Sequence, residues 1–86
     1  MKLIPFKIYL SSPAEVIRFQ EILFSLGHTW GDGSQDVKVF YPYLSLCSIN
    51  DDEVLTICWT SESAFQEDTD REITFAQFLK ETGHES

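Results

Sequence analysis

Between residues 3 and 10 apolar side chains fall on every second position: Ile4, Phe6, Ile8 and Leu10. A period of two marks a strand with one buried face. Pro5 has no amide donor, so the strand lies at a sheet edge or begins its pairing beyond the proline. At Ser12 the period changes. Ser12 can accept from an early helical amide, Pro13 suits the first helical position, and Glu15 can reach back to the cap. Val16, Phe19, Leu23 and Leu26 then recur at helical spacing, with Ile22 widening the stripe. The helix ends near Leu26, because Gly27 enters the left-handed region cheaply.

Residues 28–35 read as a turn region around Gly31-Asp32-Gly33-Ser34. Residues 37–49 are apolar and aromatic with Pro42 near the middle, which predicts one bent strand or two short ones. There Tyr41, Tyr43 and Cys47 share a face opposite Phe40, Leu44 and Leu46. Asn50, Asp51, Asp52 and Glu53 form a hairpin turn by composition, and 54–60 alternates Val54, Thr56, Cys58 and Thr60 against Leu55, Ile57 and Trp59 as the returning strand. Residues 61–71 are polar and acidic around Phe65, a surface loop that Phe65 anchors. A second helix opens at Thr74, where Gln77 completes a capping box and Ile73 staples against Phe78. Phe75, Phe78 and Leu79 give it one apolar face, and Gly83 ends it. The expected fold is α+β: a small antiparallel sheet of three to four strands with two helices packed on one face, in the order β-α-β-(β)-β-α. Residues 1–83 make a single domain and 84–86 a frayed tail.

Composition places the chain among folded domains, since 43% of its 86 residues are hydrophobic and 14% aromatic. Charge adds an asymmetry. Residues 1–49 carry four cations and four anions, whereas 50–86 carry ten carboxylates against Arg71 and Lys80, so the whole net charge of −8 lies in the second part. Such a field repels nucleic acid and anionic membranes and attracts basic surfaces. No run approaches the roughly 20 apolar residues of a membrane span, and the opening segment lacks the cleavage site of a secretory signal, so a cytoplasmic protein is expected. Cys47 and Cys58 fit free, partly buried thiols on neighbouring strands, with a disulfide between them as the alternative.

Catalytic chemistry finds little footing. His28 and His84 have no orienting carboxylate at an informative spacing, and no Gly-x-Ser-x-Gly elbow is present. Gly31-Asp32-Gly33-Ser34 lacks the lysine of a phosphate loop, and Asp68-Thr69-Asp70-Arg71-Glu72 lacks the glycine and distal glutamate of a calcium loop. No enzyme, metal or cofactor is expected. Two binding constellations remain. The carboxylates Glu62, Glu67, Asp68, Asp70 and Glu72 form a candidate acidic surface for a partner protein with a basic site. Alternatively Trp30, Tyr41 and Tyr43 stack on a nucleotide-like ligand whose phosphate meets Arg18, Lys38 or Arg71, enclosed between protomers of a homo-oligomer. Trp59 reads as core packing, with Trp30 and the tyrosines more open.

Phe6-Lys7-Ile8, Ser11-Ser12-Pro13-Ala14-Glu15, Gln20, Leu23-Phe24 and Leu26-Gly27-His28-Thr29-Trp30, followed by Ile73-Thr74-Phe75 and Phe78-Leu79, resemble small, mostly uncharacterised accessory proteins of tailed bacteriophages. The similarity spans most of the chain through capping and core positions, and no functional site is carried across. It implies a setting in the host cytoplasm, where accessory proteins of this size bind and disable a host component, including defence effectors or their nucleotide signals.

Overall fold

The computed structural model describes residues 3–39, 42–48 and 55–84. Within them the chain runs β1 (Phe6–Tyr9), α1 (Pro13–Ser25), β2 (Thr29–Trp30), β3 (Tyr43–Ser48), β4 (Leu55–Trp59), α2 (Glu62–Glu67), β5 (Glu72–Ile73) and α3 (Phe75–Thr82). The strands make one sheet in the order β2-β4-β3-β1-β5. β3 is antiparallel to both neighbours, with Leu46 opposite Phe6 on one side and Ile57 on the other. The edge strands pair parallel, Trp30 beside Ile57 and Ile73 beside Ile8. Four strands therefore point one way and β3 the other, so α1, α2 and α3 all begin at the same end of the sheet.

The α+β class is present and the two expected helices pack on one face as α1 and α3, but the antiparallel sheet of three to four strands is corrected, among the described residues, to a mixed sheet of five strands with an added third helix, α2. β2 and β5 are two residues long, too short to carry a period. They exist because strand backbone must be paired on both sides when buried. β1 accordingly lies inside the sheet, between β3 and β5. Its pairing begins at Phe6, and the Lys7 N–H donates to the Arg71 carbonyl at 2.8 Å, so the edge reading of Pro5 fails and pairing beyond the proline stands.

Helix punctuation follows local chemistry. Ser12 Oγ accepts the Glu15 N–H at 3.3 Å, while the Glu15 carboxylate returns to Ser11, one residue before the cap, accepting its N–H at 3.1 Å. Gly27, at φ +93°, closes α1 as the His28 N–H reaches back to the Leu23 carbonyl. Thr74 Oγ1 accepts the Gln77 N–H at 3.1 Å, but the Gln77 amide turns to Glu81 at 3.0 Å, so only half of the expected box forms.

α1 and α3 cover one face of the sheet. Phe6, Ile8, Leu44, Leu46, Leu55 and Ile57 point into that layer and meet Val16, Phe19, Ile22, Leu23 and Phe78. Three rings tie the elements together: Phe19 and Phe78 lie 4.7 Å apart, and Phe6 stands 6.2 and 6.0 Å from them. The 37–49 stretch is neither one bent strand nor two, as far as it is described: β3 begins only after Pro42, and 37–39 runs along α1. Fully buried Gln20 holds it there, donating to the Lys38 carbonyl at 2.5 Å and accepting the Lys38 N–H at 2.7 Å. Phe40, Tyr41 and the turn at 50–53 lie outside the described residues.

The segment 61–71 is not a simple loop. Ser61 Oγ accepts the Ala64 N–H at 3.3 Å and starts α2, whose buried Phe65 packs 5.1 Å from Tyr43. Tyr43 belongs to the strand phase opposite the core, so α2 covers the second face rather than joining α1 and α3. Replacing Phe78 with alanine removes the ring shared by β1 and α1, and should lower stability by about 3–5 kcal/mol. Urea unfolding of F78A checks this through a reduced midpoint.

Candidate functional site

The second face is organised by Lys7, which alternation along β1 places opposite Phe6 and Ile8. Its side chain is only 8% exposed. An ammonium cannot be buried without partners. Nζ donates to the Phe65 carbonyl at 2.6 Å and the Asp68 carbonyl at 2.9 Å, and it stands 4.7 Å from the centre of the Phe65 ring. Both carbonyls belong to the C-terminal end of α2, where the helix dipole favours a cation. Lys7 thereby fixes where α2 ends and how the chain turns toward β5.

The five predicted carboxylates decorate that turn. Glu62 lies in the first turn of α2, Glu67 ends the helix, Asp68 caps it, Asp70 follows and Glu72 sits in β5 beside Lys7 in register. Asp68 Oδ1 accepts the Asp70 N–H at 2.8 Å, which tightens the bend between the helix and the edge strand. Glu62, Glu67 and Glu72 are exposed. Glu62 also lies close enough to Tyr43 to help raise the phenol above its ordinary value, after the larger effect of desolvation. Along the chain the last four of the set are interrupted only by Thr69 and Arg71, while Glu62 stands at the other end of α2.

Neither neighbouring cation forms an ion pair with these carboxylates. The Lys7 ammonium is turned to carbonyls, and Arg71 makes a two-pronged pair with Glu81, at 2.6 and 3.1 Å. Among the described residues that is the one ion pair, so none of the five carboxylates has an ionic partner there.

The alternative set is dispersed. Trp30 and Lys38 line a cleft of about 410 Å³ with Asp32, Ile57 and Trp59, and Lys38 Nζ lies 5.5 Å from the Trp30 ring. Trp30 is itself 4% exposed, held by its indole N–H on the Asp36 carbonyl at 2.9 Å. Trp59 is 57% exposed. The expected roles of the two tryptophans are therefore reversed. Tyr43 lies on the second face, 5.0 Å from Tyr9; Arg71 is paired with Glu81; Arg18 is exposed on α1; and Tyr41 lies outside the described residues.

No family model, curated protein or solved structure matches this chain.

The chemistry of the site accordingly rests on its own residues. His28 has a structural contact, with Nδ1 2.9 Å from the Leu55 carbonyl. Among the described residues no group of three or more His, Cys, Asp or Glu is placed to hold a metal ion. No helix there is long and apolar enough to cross a membrane. Three participants escaped sequence reasoning. Lys7 showed only as a polar interruption of an apolar strand; Trp59 sits in the buried phase of β4 yet at its end, where coverage stops. Glu15 shares a cleft of about 340 Å³ with Glu72 between the starts of α1 and α3, a proximity that only the parallel β1–β5 pairing creates.

The hydrogen bonds from Arg71, then Gln77, hold the Glu81 carboxyl below its ordinary 4.5. A depressed folded value stabilises the protein above the unfolded value, and that contribution fades as pH falls through the folded one. Urea titrations should therefore show wild type more stable than Glu81→Gln at neutral pH, with the gap closing as pH drops below 4.5.

Proposed function

We propose that this protein is a non-enzymatic accessory protein of a tailed bacteriophage that acts in the host cytoplasm, where its acidic strip binds a basic site on a host protein, one serving defence or nucleic-acid handling. The observation that carries the reading is the inward orientation of the two nearby cations. Lys7 and Arg71 are each engaged within the fold, which leaves Glu62, Glu67, Asp68, Asp70 and Glu72 to be met by charge from outside. Their placement on a short helix, a tight bend and an edge strand presents them from backbone that Lys7 has already ordered, so little conformational entropy is lost on docking.

A second reading retains one part of the aromatic set. Trp30, Lys38 and Trp59 share a cleft large enough for a small planar ligand. Asp32 lines the same cleft, and its carboxyl is held below its ordinary value chiefly by the Ser34 backbone N–H, so an anionic ligand meets one cation and one anion. That balance favours the protein-binding reading over sequestration of a nucleotide-like signal.

Affinity capture from host lysate, with mass spectrometry of both proteins and small molecules, separates the two. The expected catch is a basic protein whose association slows by about tenfold or more between low salt and 1 M salt. It is lost when Glu62→Gln, Glu67→Gln, Asp68→Asn, Asp70→Asn and Glu72→Gln are combined. A catch indifferent to these changes, or a nucleotide recovered with wild type and not with Trp59→Ala, overturns the acidic-strip reading.

A further inference from the structure

We propose that Cys47 and Cys58 form a dithiol that closes within the folded protein into an intramolecular disulfide on meeting a small-molecule disulfide such as oxidised glutathione. The two residues lie on adjacent antiparallel strands in a diagonal relation, Cys47 opposite Thr56 and Cys58 opposite Ser45. Their sulfur atoms are 3.0 Å apart, inside ordinary sulfur contact, so a further approach of about 1 Å reaches the ~2.05 Å of a disulfide. Both are free thiols and half-buried, on the sheet face opposite the core. Proximity of this kind makes closure effectively intramolecular at high local concentration.

The surroundings assign an order to the exchange. Desolvation pushes the Cys47 thiol up to about 12, and the adjoining Cys58 sulfur adds to the effect. Cys58, as thiolate, attacks one sulfur of oxidised glutathione; the glutathione S–S bond breaks and one glutathione thiolate leaves. Cys47 then gives its proton to solvent and attacks the Cys58 sulfur of the mixed disulfide, expelling the second glutathione thiolate. Two protein thiols are oxidised, one glutathione disulfide is reduced to two thiols, and the two protons pass through solvent to the products. The new bond staples β3 to β4 without touching the core face or the acidic strip.

Reduced native protein is incubated with oxidised glutathione, quenched in acid, alkylated and weighed intact, beside the same reaction in denaturing urea. The expected product has lost two hydrogens and carries no adduct, forms at least about tenfold faster in the native protein than in urea, and melts at a higher temperature than the reduced form. Cys47→Ser should stop at a single glutathione adduct on Cys58. Accumulation of two separate adducts, or closure no faster in the native protein than in urea, overturns the proposal.

Discussion

A lysine ammonium buried beneath a short helix is the interaction on which the rest of this protein depends. β1 is an interior strand whose alternate residues serve opposite layers: Phe6 and Ile8 enter the core, and Lys7 enters the other face. Leaving that charge without partners would cost several kcal/mol in any low-dielectric setting. Two carbonyls at the end of α2 and the face of the Phe65 ring meet it instead. Hydrogen bonds to charged groups contribute about 1.5–3 kcal/mol, enough to order a six-residue helix that could not persist alone.

The acidic surface is a consequence of this arrangement. With α2 fixed, the chain turns at Asp68 and Asp70 and returns as β5 beside β1, which brings Ile73 into the core and Glu72 to the sheet edge. Arg71 lies in the same turn but leans toward α3, where Glu81 receives it and Phe6 lies beneath it at 5.9 Å. Lys7 and Arg71 are engaged in holding elements together, while Glu62, Glu67 and Glu72 face outward. An acidic surface and a structural clasp are thus two sides of one short segment. The opposite layer is built by different means: rings from β1, α1 and α3 interlock, and the amide of Gln20 stands in for a strand partner to the chain at Lys38.

Much of the core was readable because it obeys local rules. Ser12, Gly27, Thr74 and Gly83 punctuate α1 and α3 through their own side chains or their absence, and Leu44 and Leu46 announce the buried phase of β3. β2 and β5 were not readable, since a two-residue strand is defined by what it pairs with. α2 was hidden for a related reason: apart from Ser61 and the single apolar Phe65, the groups that hold it are Lys7 and Tyr43, both distant in sequence. The carboxylates could be located from their crowding along the chain, whereas their lack of ionic partners among the described residues depends on where Lys7 and Arg71 point. Trp30 and Trp59 exchanged their expected roles because alternation gives the phase of a side chain without the extent of the layer above it.

The order of the second face therefore turns on whether the Lys7 ammonium is held in place. The direct measurement is nitrogen-15 NMR of the lysine side chains, comparing exchange of the ammonium protons of Lys7 with those of exposed Lys80. A distinct Lys7 signal whose protons exchange much more slowly than those of Lys80, with couplings to the Phe65 and Asp68 carbonyls, is the predicted result. Exchange as rapid at Lys7 as at Lys80 would contradict the clasp and, with it, the proposed basis for partner binding by the acidic carboxylates.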